Sequence, residues 1–153
     1  MLERPIQIAV IGGRTASEDE LKLAEETGKL IAGRGYQLIC GGLGGIMEAA
    51  CRGAFEAGGM TIGILPEKDR CMANEFVKVS VASGIGVARN SILAHSADAA
   101  IAISGQYGTL SEIAYFLQFD KPVVLLSCQW QIPGATPVAT PKDAIETIEE
   151  QLS

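Results

Sequence analysis

Short apolar runs alternate along this chain with longer segments in which apolar residues recur every three or four positions. The runs at residues 6–11, 36–40, 61–65, 76–81, 99–103 and 123–126 predict strands. Several are apolar at successive positions, as strands covered on both faces of a parallel sheet are. Between them, Ser17-Glu18-Asp19-Glu20 reads as a capping box opening a helix. Leu21, Ala24, Leu30 and Ile31 supply its apolar stripe and Gly35 its C-terminal stop, so the first helix is predicted over 18–34. A second helix should open at the glycine turn 41–45, bury Ile46, Met47, Ala50, Ala54 and Phe55, and stop at Gly58-Gly59. Its small residues suit close packing on the sheet. A third is predicted over 87–96 and a fourth over 109–119, the latter with Leu110, Ile113, Ala114 and Leu117 inward. Residues 129–137 read as irregular, and Thr140-Pro141 as the N-cap and first position of a terminal helix to about Leu152. Strands alternating with helices predict a Rossmann-like, doubly wound α/β fold, its sheet mainly parallel with helices on both faces, formed by residues 1–153 as a single domain.

Composition adds limits. A chain of 153 residues, 48% hydrophobic, has room for a full core. Its net charge of −6 and scattered Lys and Arg argue against a nucleic-acid or anionic-membrane surface. An anionic small molecule remains open, because a few local donors outweigh the global sign. Cys40, Cys51, Cys71 and Cys128 have neither C-x-x-C spacing nor a histidine pair, so no metal site is expected and the thiols read as free. The N-terminal apolar run is too short for a signal peptide and no stretch is long enough to span a bilayer, so the expected location is cytoplasmic.

Candidate chemistry gathers at two glycine-rich turns, Gly41-Gly42-Leu43-Gly44-Gly45 and Ser104-Gly105-Gln106-Tyr107-Gly108-Thr109. Each follows a predicted strand and opens a predicted helix, where bare backbone N–H groups and the positive end of the helix dipole favour phosphate. Neither is followed by the Lys and Ser/Thr of a P-loop, and Met47 stands where a dinucleotide fingerprint needs its third glycine. Gly12, Gly13 and Arg14 end the first strand and should line the same crevice.

The ordered set formed by 41–47, Ala88-Arg89-Asn90 and Gly105 to Glu112 resembles the Lonely Guy (LOG) family, long mislabelled as lysine decarboxylases, with its G-G-G-x-x-G-x-M turn, its Arg and its P-G-G-x-G-T-x-x-E turn. The short length and Gly84-Ile85-Gly86-Val87-Ala88-Arg89-Asn90 look more like the molybdenum-cofactor carrier proteins and their bacterial relatives. Two departures stand out: Ser104-Gly105-Gln106 replaces Pro-Gly-Gly, and Asn90 replaces a Lys. The resemblance implies a phosphorylated small-molecule partner, a nucleotide or molybdopterin-type ligand, with no cofactor needed by the chain itself, and a homodimer or homotetramer. It also implies a rival activity, cleavage of the N-glycosidic bond of a nucleoside 5′-monophosphate by a phosphoribohydrolase. Lysine decarboxylation is rejected, because no lysine stands at a glycine turn to carry pyridoxal phosphate.

On that resemblance Arg89 and Glu112 are the candidate catalytic pair: Arg89 orients a phosphoribosyl group and Glu112 assists water at the anomeric carbon. Glu112 has a second reading that the residues alone do not separate, since Thr109-Leu110-Ser111-Glu112 is also a capping box. Gly41, Gly42, Gly44, Gly45, Gly105, Gly108 and Thr109 are the candidate phosphate cradles, with tight turns and close helix–sheet approach as the bland alternative. Tyr107 and Trp130 are candidate stacking groups, Cys40 lies beside the first turn, and His95 has no partners suggesting catalysis. Apolar residues Met47, Phe55 and 116–119 exceed what one sheet face needs and suggest an interface.

Overall fold

The computed structural model describes residues 3–153. In chain order the elements are β1 (Gln7–Gly12), α1 (Glu18–Gly33), β2 (Gln37–Cys40), α2 (Ile46–Glu56), β3 (Thr61–Leu65), β4 (Val79–Ala82), α3 (Arg89–Ser96), β5 (Ala99–Ile103), α4 (Tyr107–Gln118), β6 (Val123–Leu126), β7 (Thr136–Val138) and α5 (Pro141–Leu152). The strands form one seven-stranded sheet in the order β4-β3-β2-β1-β5-β6-β7, and every neighbouring pair is parallel. The chain winds outward from β1 to β4, then returns through α3 to place β5 on the other side of β1. The strand order therefore reverses between β1 and β5, the position where open parallel sheets leave a crevice beyond their C-terminal ends.

The continuous apolar runs are explained by burial on both faces. Ile8 and Val10 of β1 pack with Ala24 and Ile31 of α1, Ala50 and Ala54 of α2, and Ile145 and Ile148 of α5. Ala9 and Ile11, their alternating neighbours, pack with Leu93 and Ala94 of α3 and Ile113 and Phe116 of α4. The small residues of α2 serve a neighbouring helix as well as the sheet. A Cβ on Gly53 would enter the Glu25 carbonyl, and one on Gly28 would enter that of Ala50, so α1 and α2 cross in backbone contact. The side chains of Ser17 and Thr140 cap α1 and α5 as expected, accepting from the N–H groups of Glu20 at 3.2 Å and Asp143 at 3.1 Å.

Five expectations are corrected. The fourth strand is Val79–Ala82 and not 76–81; Phe76 instead lies against the ring of Phe55, at 6.0 Å between centroids. Residues 136–138, read as irregular, add β7 at the sheet edge, where Pro137 needs no ladder N–H on its open side. The third helix begins as a 3-10 turn over Gly86–Ala88 before α3 proper. In α4 the buried stripe is Thr109, Glu112, Ile113 and Phe116, one residue round from the apolar stripe expected, because two of its members are polar. Met47 and Phe116, expected to leave apolar surface unpaired, belong to the two cores.

The short helix α3 is held at its C-terminal end by Lys121. Its Nζ donates to the carbonyls of Ala94 at 2.6 Å, His95 at 2.8 Å and Ala97 at 2.6 Å, occupying acceptors that the helix itself leaves free. At the other end of α3, which carries Arg89 and Asn90, the Asn90 side chain donates to Ser111 of α4. Among the described residues no helix is long and apolar enough to cross a membrane.

Candidate functional site

A cavity of about 750 Å³ opens at the strand C-termini over the β1/β5 reversal. Gly12, Gly13 and Arg14 line it from the end of β1, and Ser104, Gly105, Gly108, Thr109 and Glu112 from the β5–α4 turn and α4. Pro66 follows β3, Arg89 and Asn90 come from α3, and Ser127 and Gln129 follow β6. The structure thus gathers eight of the twelve residues singled out in the sequence. Among the described residues no group of three or more His, Cys, Asp or Glu stands together as a metal site.

The four that lie outside the cavity lining are Gly41, Gly42, Gly44 and Gly45, and the geometry assigns three of them to close approach. A Cβ on Gly41 would enter the Arg89 guanidinium, and one on Gly45, whose φ is +67°, would enter the backbone carbonyls of Gly13 and Arg14. Gly42 has φ +79° and sits against Leu65. Two N–H groups here are also occupied: Gly42 N–H donates to Cys40 Sγ at 3.2 Å, and Ile46 N–H, the first of α2, donates to the Gly13 carbonyl at 3.0 Å. A Cβ on Gly44 would meet only the Glu48 side chain, at an ordinary contact distance of 3.8 Å. The first glycine turn therefore welds α2 to the β1 loop and admits Arg89.

The second turn is built differently. α4 starts at Tyr107, two residues before the expected N-cap, and its N-cap residue Gln106 makes no side-chain capping bond. Thr109 and Glu112 lie inside the helix, so the capping-box reading of Glu112 is overturned. The N–H groups of the first helical turn have no carbonyl one turn back to bond. Gly105 has φ +106°, and a Cβ there would enter the Thr109 side chain, so the turn folds directly onto that threonine. Ser104 and Ser127 end β5 and β6 with φ of +54° and +58°, left-handed conformations that a residue with a Cβ adopts at a cost. A proline, with φ fixed near −65°, cannot occupy such a position. The departure from Pro-Gly-Gly at Ser104 is thus a change of backbone path.

Arg89 and Glu112 are both withdrawn from solvent, 9% and 7% exposed. Arg89 Nη1 donates to the carbonyls of Gly41 and Ile64, each at 2.7 Å, beyond the end of β2 and within β3. Its Nε is buried without a partner. Burial lowers the Arg89 pKa from its ordinary value, opposed chiefly by the charge of Glu112. Burial pushes the Glu112 carboxyl up to about 7, with Arg89 pulling the other way. A carboxyl poised near neutrality inside a cavity is equipped to hold or release a proton.

Arg14 is exposed at the rim, a free cation on the β1 loop. Asn90 is a lining residue that sequence reasoning noted only as a departure; its nearness to Arg89 in the chain was the available signal. Ser127 and Gln129 were missed although the rule of strand C-termini points to the end of β6. Tyr107 is 88% exposed, Trp130 packs with the second core, and His95 stacks on Phe119 at 4.1 Å, so none of the three lines the cavity. Cys40 is buried beneath the first turn, its Sγ 3.5 Å from that of Cys51.

Comparison with known proteins agrees with this architecture. The molybdenum cofactor binding protein of Rippkaea orientalis superposes with a TM-score of 0.93 at 36% identity, covering 98% of this chain and 99% of that one. The molybdenum cofactor carrier protein of Chlamydomonas reinhardtii superposes with a TM-score of 0.86 at 35% identity, covering 97% and 99%. A cytokinin riboside 5′-monophosphate phosphoribohydrolase of Mycobacterium tuberculosis is 34% identical over 116 residues, 69% of this chain and 62% of that enzyme. The SLOG cluster4 family model matches residues 5–151. The chain therefore belongs to the SLOG cluster4 family, within a LOG-like superfamily that has molybdenum cofactor carriers among its members.

Proposed function

We propose that this chain binds a phosphorylated heterocyclic ligand, a nucleotide or a molybdopterin-type cofactor carried as cargo, in the cavity over the β1/β5 reversal. The observation that carries this reading is the uncapped N-terminus of α4 at that cavity. There the backbone N–H groups of Gly108 and Thr109, the Thr109 hydroxyl and the helix dipole are set to receive an anion. Arg14 adds an exposed cation. Arg89, fixed by two carbonyls, contributes positive potential from below. A volume of about 750 Å³ suits a nucleotide or a pterin. When such a cofactor is bound its metal chemistry is its own; the chain grips the phosphate, shields the ring and leaves the ligand intact. Self-association as a homodimer or homotetramer belongs to the same proposal. It is supported by Val79 and Val81, 45% and 44% exposed on one side of the edge strand β4.

A second reading has its own observation. Freed from capping and held near pH 7, Glu112 has the properties of a general acid and base in a phosphoribohydrolase. In its ionised form it would take a proton from water as the water oxygen bonds to the anomeric carbon. The carbon–nitrogen bond breaks and the base leaves with a proton, giving free base and ribose 5-phosphate. The two readings share the pocket and differ in turnover.

Incubation with a panel of nucleoside 5′-monophosphates, followed by chromatography of the products, separates them. The carrier reading expects saturable binding of a phosphorylated nucleoside or pterin with no free base released. Release that disappears in Glu112→Gln while binding persists would establish the hydrolase instead. Binding of the unphosphorylated nucleosides as tightly as the monophosphates would sink both.

A further inference from the structure

Asn90 is 5% exposed and lines the cavity from the second position of α3. Its Nδ2 donates to Ser111 Oγ at 3.1 Å. The single hydroxyl proton of Ser111 is directed to the Gly108 carbonyl at 2.7 Å, so towards Asn90 this hydroxyl can only accept. The carboxamide is therefore oriented by its surroundings, with the NH2 group on α4 and the oxygen free. That oxygen, Oδ1, is buried with no hydrogen-bond partner. A buried acceptor left empty is costly, and a ligand donor in the cavity would relieve it.

We infer that Asn90 determines specificity in this cavity: its Oδ1 accepts a hydrogen bond from a neutral donor of the ligand, a ribose hydroxyl or a ring N–H, and keeps phosphate away from that end. The inference rests on the phosphorylated-heterocycle reading and gives the ligand a direction. A phosphate beside Asn90 would meet an acceptor oxygen that offers it no proton, in a cavity that the Glu112 carboxyl also lines. At the start of α4 it meets unbonded N–H groups. The phosphate therefore lies against Gly105, Gly108 and Thr109, and the donor-bearing part of the ligand against Asn90.

The test is titration calorimetry on wild type, Asn90→Ala and Ser111→Ala with matched probes. These are inosine 5′-monophosphate, its 2′,3′-dideoxy form, its N1-methyl form, and a pterin phosphate with and without a methylated ring N–H. In wild type, loss of the recognised donor weakens binding about tenfold, and the analogue affected tells hydroxyl from ring N–H. In Asn90→Ala that discrimination disappears, so parent and analogue bind alike. Ser111→Ala alters an exposed residue and leaves the carboxamide free to rotate, so it should shrink the discrimination even if Asn90→Ala folds poorly. Discrimination that survives in both variants, or an Asn90→Ala effect equal for every probe, overturns the inference alone. Failure of all probes to bind overturns the underlying reading as well.

Discussion

Among single residues, Glu112 is one whose burial has a large electrostatic consequence. Its carboxyl has an ordinary pKa of 4.5 and sits at about 7 in the folded protein. The folded state thus holds a proton that the unfolded chain releases between these values, and ionising the buried group costs stability as pH rises through that window. Below the window the group is neutral in both states and the cost is absent. Glu112→Gln removes the ionisable group, so its advantage over wild type should grow from near zero at about pH 4.5 to about 3 kcal/mol at about pH 8. Urea unfolding at both pH values checks this; a difference independent of pH would mean that Glu112 titrates normally. Ser104 gives a second residue-scale prediction. Its φ of +54° is relieved by glycine, so Ser104→Gly should raise stability by about 1 kcal/mol in thermal unfolding, whereas Ser104→Pro should prevent the β5–α4 turn from forming.

At the scale of elements, the α1/α2 crossing is the most exacting contact. Gly53→Ala places a methyl group in the Glu25 carbonyl, and the two helices must separate to admit it. The expected cost is about 3 kcal/mol despite alanine's better helix propensity, read as a fall in the denaturation midpoint. A neutral or stabilising result would mean that the helices are not in backbone contact. The elements also explain what could be read from the chain. Strands such as 99–103 and 123–126 were legible because burial on both faces leaves no polar position to interrupt them. β7 was not, because three residues containing a proline carry almost no periodic signal. The orientation of α4 departs from the apolar pattern because periodicity points apolar residues at the core, whereas here Thr109 and Glu112 are turned inward beside the cavity. The two glycine turns looked equivalent in sequence, and both open helices without a side-chain cap, yet one bonds the first N–H of its helix to the Gly13 carbonyl and fills its space by packing while the other lines the cavity. Only tertiary contacts, Gly13 against Ile46 and Gly41 against Arg89, distinguish them.

Across the whole molecule, a net charge of −6 coexists with a cavity proposed to take an anion. The contradiction dissolves because short-range donors at one helix end and the fixed Arg89 act within a few ångströms, whereas dispersed surface carboxylates are screened by salt. The sheet topology supplies the rest, bringing the ends of β1, β5 and β6 and the start of α3 around a single opening. On the proposed reading the β5–α4 turn, and not the β2–α2 turn, receives the phosphate. Amide nitrogen–proton NMR spectra recorded during titration with inosine 5′-monophosphate test it most directly. Saturable shifts are expected at Gly105, Gly108 and Thr109 that are absent with inosine, while the amides of Gly42 and Ile46, already bonded within the fold, stay nearly in place. Phosphate-dependent shifts centred on residues 41–46, with the β5–α4 turn unmoved, would contradict it.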